Sequence, residues 1–154
     1  MEELVHQIHG VLETEVGYTG GDTPDARYEQ VKTGKTGHAE SLKIVFNPQQ
    51  LSYRHLLFEF FRMHNPTTAN RQGNDVGTQY RSAIFYLNEE QKQIAEEVIH
   101  TVNISGEWGA KVVSEVVPFR KFYRGEEYHQ KYLVKNRGGY TCHYLRQFML
   151  GEVK

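Results

Sequence analysis

The chain has 154 residues, 18 Lys and Arg against 19 Asp and Glu, ten Tyr, eight Phe and one cysteine. This length fits one domain with a real core, the aromatic content excludes disorder, and scattered basic residues at near-zero net charge argue against a nucleic-acid binder. No apolar run reaches the roughly 20 residues of a membrane span, the acidic N-terminus is unlike a signal peptide, and a lone Cys142 rules out an internal disulfide framework, so a cytoplasmic protein is the default.

Residues 1–9 read as the end of an amphipathic helix, with Leu4, Val5 and Ile8 on one face and Gly10 as its cap. No capping signal precedes it; the chain begins inside the pattern. Residues 11–18 are rich in β-branched side chains and predict a strand. Residues 19–24 read as loop, 28–31 are ambiguous, and 32–37 form a Gly-Lys turn region. Residues 38–47 alternate as a strand, with Leu42, Ile44 and Phe46 on one face, and Pro48 stops them. Ser52 is the N-cap of a helix whose buried stripe is Leu56, Leu57, Phe60, Phe61 and Met63, ended by Asn65-Pro66.

Residues 70–80 hold two glycines, Asp75, Arg71, four amide side chains and Tyr80, with almost nothing to bury except Val76. Either this is a solvated loop closed by Gly turns, or it is a binding or catalytic loop at the mouth of a strand. That strand is expected over 81–87. Asn88 with Gln91 resembles a capping box, and the helix after it runs through Ile94, Ala95, Val98 and Val102. Gly106 and Gly109 flank Trp108 in a turn. Residues 111–117 predict a strand stopped by Pro118, and 125–135 predict a last helix before an irregular tail opening at Gly138-Gly139. Imperfect alternation with an adjacent strand pair favours an α+β, two-layer α/β sandwich over a doubly wound sheet.

Several constellations bear on chemistry. Gly34-Lys35-Thr36 lacks the earlier glycine of a phosphate loop, where Glu29 stands, and a strand follows it instead of a helix. His6 and His9 lie three apart in the first helical pattern, but no Cys/His pair completes a zinc set, so solvated or hydrogen-bonding histidines are the better reading. Glu40 shares strand parity with Leu42, Ile44 and Phe46. Either its carboxyl is partly desolvated at the end of the apolar face, which raises its pKa and suits a general acid, or it lies past the core edge in water. Tyr128 and Tyr132 sit four apart in the last predicted helix and read as core or rim. Cys142 lies in a Gly-rich segment: either an exposed thiol there reaches a second thiol, or it is an incidental thiol, the better reading if nothing else points to redox chemistry.

Gly17-Tyr-Thr-Gly-Gly21, Gly37-His-Ala-Glu40, the run from Arg71 to Ser82, Tyr128-His-Gln130 and the Lys135-Asn-x-Gly-Gly-Tyr140 tail occur in one order. Together they resemble peptide methionine sulfoxide reductase of the A class, over essentially the whole chain as a single domain (residues 1–154). The resemblance implies a ferredoxin-like core and reduction of methionine S-sulfoxide, free or in oxidised proteins, without a metal or organic cofactor. A cysteine thiolate attacks the sulfoxide sulfur and becomes a sulfenic acid. A second thiol condenses with it, and thioredoxin reduces the disulfide. By motif, Glu40 matches the acid that protonates the sulfoxide oxygen. Tyr28 and Tyr80 match the tyrosines that hydrogen-bond it, and Asp75 matches an aspartate that organises the pocket. A monomer is the family-like expectation.

The departure concerns the nucleophile. The family's Gly-Cys-Phe-Trp motif aligns upstream of Met1, and Trp108 cannot stand in for its aromatic residue. Cys142 follows Gly-Tyr-Thr, where the family's recycling cysteine directly follows Gly-Tyr; resolving thiol is its candidate role. The chain is therefore expected to be N-terminally incomplete, to lack the first strand and to be inactive as given. The alternative is a non-catalytic paralogue that keeps the oxygen-binding pocket and binds methionine sulfoxide or a protein.

Overall fold

The computed structural model describes residues 1–130 and 145–150. In chain order the elements are α1 (Glu2–His6), β1 (Val11–Thr19), α2 (Tyr28–Val31), β2 (Ala39–Phe46), α3 (Tyr53–Met63), β3 (Arg71–Gln72), β4 (Asp75–Val76), β5 (Ala83–Tyr86), α4 (Glu89–Ser105), β6 (Glu115–Pro118) and β7 (Phe122–Arg124). Single 3-10 turns cover Thr78–Tyr80 and Glu127–His129. β2, β1 and β7 form an antiparallel sheet in that order, β3 and β4 form a hairpin, and β5 pairs in parallel with β6. The α+β class read from the sequence is what the chain adopts.

The two long helices start where their caps predict. Ser52 Oγ accepts the His55 N–H at 3.0 Å, and Asn88 Oδ1 accepts the Gln91 N–H at 2.9 Å. Gln91 Oε1 in turn accepts from the Leu87 N–H at 2.8 Å, one residue before the cap, so the capping box is displaced by one position. Gly106 closes α4 at φ +71°, the left-handed conformation that favours glycine.

The main core lies between these helices and β5. Leu57, Phe58 and Phe61 of α3 pack with Ala95, Val98 and Val102 of α4, and with Ile84 and Leu150. Phe58, not Phe60, carries the deeper burial on α3. Trp108 belongs to this core: its indole N–H donates to the Phe61 carbonyl at 3.0 Å and its ring meets Phe148 edge-on at 5.0 Å. A second, smaller cluster joins Tyr18, Ala26 and Val31 with Tyr28, beneath the polar loops.

Three expectations are corrected, and one strand is added. α1 ends at His6, so His6 and His9 do not share a helix. The strand expected over 111–117 begins only at Glu115, because the Val112 N–H is taken by Asn103 Oδ1 and the Val113 N–H by the Pro66 carbonyl. In place of a helix over 125–135, the described part holds one 3-10 turn. Its Gly125 N–H and the Gln130 side chain are committed to β1, and tertiary pairing overrides helical pattern. β7 itself was not anticipated; it is three residues long and too short to show a period.

Candidate active site

A row of three side chains crosses the first sheet. Tyr18 on β1 stands opposite Glu40 on β2 and opposite Tyr123 on β7, so all three leave the same face. Tyr18 is buried, with 2% of its surface exposed. The neighbouring residue must be Gly17. A Cβ there would lie 2.3 Å from the Tyr123 carbonyl oxygen and 2.4 Å from the Phe122 ring, which lies against this glycine.

The start of β2, and with it Glu40, is fixed by a buried histidine. His38 Nδ1 accepts the Gly21 N–H at 3.0 Å, which leaves Nε2–H to donate to the Thr23 carbonyl at 2.7 Å. One imidazole thus ties the Gly-rich loop after β1 to the strand that carries Glu40.

The polar loop is fastened at three points. Gln72 is buried, and its amide pairs with both main-chain groups of Asn65, accepting from the N–H at 3.1 Å and donating to the carbonyl at 2.5 Å. Gln79 Nε2 donates to the Lys32 carbonyl at 3.0 Å, at the end of α2. Arg81 Nη2 donates to the Gly37 carbonyl at 3.0 Å, just ahead of β2. Tyr80 lies between the last two anchors, which places it between the helix bearing Tyr28 and the strand bearing Glu40. Two of the four amides that looked excessive for a turn, Gln72 and Gln79, are anchors, and Arg81 just past the loop is the third.

The electrostatics show which groups meet. Burial and then repulsion from Asp75 push the Glu40 carboxyl up to about 7. Glu40 as a residue is exposed to solvent. The two facts are compatible if the carboxyl sits in an open recess, where surrounding protein excludes much of its hydration while water still reaches it. Burial, then the charges of Glu40 and Asp75 and the nearby Tyr28, push Tyr80 up to about 12. Tyr18 is raised further, by burial and then by Glu126 and Glu40. Around Glu40 the chain therefore brings together phenols held in their O–H form and a carboxyl that keeps its proton well above the usual carboxylate range.

Four of the five site residues expected from sequence, Glu40, Tyr28, Tyr80 and Asp75, are brought together here. Cys142 lies outside the described residues. Sequence reasoning missed Tyr18 and Glu126. Tyr18 was visible only inside the Gly17–Gly21 run, and Glu126 only as the residue two before Tyr128. Among the described residues no three His, Cys, Asp or Glu side chains are grouped as a metal site, and no helix is long and apolar enough to cross a membrane.

A family model described as peptide methionine sulfoxide reductase matches residues 1–153. The chain belongs to the peptide methionine sulfoxide reductase family. A relative named peptide methionine sulfoxide reductase MsrA, from Streptomyces coelicolor, is 51% identical over 146 residues, covering 95% of this chain and 83% of the relative. The crystal structure of Mxr1 from Saccharomyces cerevisiae in reduced form superposes with a TM-score of 0.80 at 39% identity, covering 94% of this chain and 85% of that one. A structure of Mxr1 in complex with Trx2 aligns with a TM-score of 0.56 at 24% identity, covering 95% and 81%, and on its own bears on the fold alone. The family is one of enzymes.

Proposed function

We propose that the recess binds the oxygen of a methionine S-sulfoxide, free or in an oxidised protein. Glu40 is the proton donor, Tyr28 and Tyr80 are hydrogen-bond donors, and Asp75 keeps Glu40 protonated. The observation that carries this reading is the Glu40 carboxyl at about 7 beside two tyrosines. A sulfoxide oxygen is a strong acceptor that must take up protons before the S–O bond breaks. Donors preset around it lower that barrier most, and an acid titrating near the working pH transfers its proton best.

In the complete reaction a thiol takes the oxygen as a sulfenic acid and releases methionine. A second thiol then condenses with the sulfenic acid, giving a disulfide and water, and a dithiol reductant regenerates the enzyme. Thioredoxin fits that last role: Mxr1, 39% identical to this chain in its reduced form, has a structure in complex with Trx2. The reading calls for no metal or organic cofactor, no nucleic acid and no membrane, and it has the chain acting as a monomer. Cys142 is the only thiol in residues 1–154. Its proposed role is the resolving one, so these residues supply the oxygen side of the site and the attacking thiol is not among them.

The test is turnover of a blocked methionine S-sulfoxide with thioredoxin and its reductase. The 154-residue chain is expected to show none, and a form extended at its N-terminus by a segment containing Gly-Cys-Phe-Trp is expected to be active. Turnover by the 154-residue chain itself would overturn the assignment of Cys142. Binding of the sulfoxide without turnover in either form would favour a non-catalytic binding protein.

A further inference from the structure

The segment 125–130 is tied to β1 at both ends. The Gly125 N–H donates to the Val16 carbonyl at 2.8 Å. Five residues on, the Gln130 side chain copies a strand partner: its Oε1 accepts the Val16 N–H at 2.8 Å and its Nε2 donates to the Val16 carbonyl at 2.7 Å. Gln130 Nε2 also donates to the Gly125 carbonyl at 3.0 Å, which closes the segment into a clasp. Gln130 is buried, so these bonds are shielded from water.

Inside the clasp Glu126 gathers three donors from separate parts of the chain. Its two carboxylate oxygens accept the main-chain N–H of Tyr28 at 3.1 and 3.2 Å. They also accept the Tyr18 hydroxyl at 3.4 Å and the Tyr128 hydroxyl at 3.0 Å. Tyr28 is the first residue of α2, a helix of four residues that is too short to hold its own position. The Glu126 carboxylate supplies the acceptor for the first N–H of this helix, while the Gln30 and Val31 N–H groups go to the Arg27 carbonyl. Among the described residues, this carboxylate links the start of α2 directly to the sheet row that carries Glu40.

We propose that Glu126 is a positioning residue for Tyr28: it clamps the helix that carries this phenol against β1 and so sets where the phenol meets the sulfoxide oxygen. The role rests on Tyr28 being a donor to that oxygen. Tyr18 is the intermediary. Its hydroxyl bonds Glu126 while its backbone position is locked opposite Glu40, so the clamp and the acid share one rigid strand.

The test uses the 154-residue chain and a blocked methionine S-sulfoxide, with the Tyr28 amide followed by NMR. In the wild type the Tyr28 amide proton should move with the titration of the Glu126 carboxyl. In Glu126→Gln it should lose that dependence and exchange faster with solvent. Sulfoxide binding should weaken about tenfold, the scale of one lost hydrogen bond to a charged group. Adding Tyr28→Phe to Glu126→Gln should then weaken binding by less than the product of the two single effects, since both act through one donor. Glu126→Asp, which keeps a shorter carboxylate, should fall between wild type and Glu126→Gln. A Tyr28 amide indifferent to Glu126, or fully additive losses, would overturn the proposal. If the wild type binds no sulfoxide, the functional reading fails instead, and the amide titration, which needs no variant, still decides whether Glu126 holds Tyr28.

Discussion

Tyr18 faces Glu40 directly across the β1–β2 ladder, and after burial and Glu126 the Glu40 charge makes ionisation of this tyrosine harder. The pair gives the recess its character. Tyr18 stays neutral and gives its hydroxyl to Glu126, while a Glu40 carboxyl that holds its proton to about pH 7 is a donor under the conditions in which a sulfoxide would arrive.

Asp75 is the charge that keeps Glu40 protonated, after burial. Asp75→Asn is expected to lower the Glu40 midpoint from about 7 toward its ordinary 4.5, read by carbon NMR of the carboxyl. Removing a like charge favours ionisation of the neighbour. A reaction that uses Glu40 as its acid would then lose rate at neutral pH with little loss of substrate binding. An unmoved midpoint would mean that burial alone sets the value.

His64 governs how stability varies with pH. It is buried, its Nδ1–H donates to the Phe60 carbonyl at 2.6 Å, and its Nε2 accepts from Ser82 at 2.7 Å. Burial lowers its pKa from 6.5 to about 4. Between those values the unfolded chain binds the extra proton, so stability rises with pH through that window. The size is about 3 kcal/mol. Glu40 acts with the opposite sign, since its raised pKa makes the folded state bind the proton between 4.5 and about 7. With a Glu40 midpoint near 7 the two contributions are similar in size and oppose each other above pH 4.5, so His64 is read in the Glu40→Gln background. There denaturant unfolding should show stability climbing from pH 4 to 6.5, and adding His64→Gln should flatten that climb.

The sequence made the caps, the long helices and β1 and β2 legible because each rests on local patterns: Ser52 and Asn88 as caps, and Leu42, Ile44 and Phe46 on one strand face. The same parity puts Glu40 on the strand face of Leu42 and Ile44, as the β1–β2 register has it. The segment around 125–130 was misread because its conformation depends on bonds to Val16, more than a hundred residues earlier, which no local period records. The Glu126 carboxylate was missed for the same reason. The amides of the 70–80 loop were legible as an excess of donors and acceptors, but not as anchors, since their partners are main-chain atoms of distant turns.

Gly17 tests whether β7 must close on β1. Gly17→Ala puts a Cβ against the Tyr123 main-chain oxygen, which cannot rotate away as a side chain would. The variant is expected to lose about 1–3 kcal/mol in chemical denaturation, the usual range for overpacking. It should also lose protection of the Arg124 and Gly125 amides in hydrogen exchange. Wild-type stability would show that β7 is loosely held.

The most direct test of the account is the titration of the Glu40 carboxyl with and without a blocked methionine S-sulfoxide. Without it the midpoint should lie near 7. With it the midpoint should rise, because a sulfoxide oxygen accepts a hydrogen bond only from the protonated acid and so favours that form. A midpoint near the ordinary carboxylate value, or one that the sulfoxide leaves in place, would contradict the assignment of Glu40 as the group that delivers a proton to the oxygen.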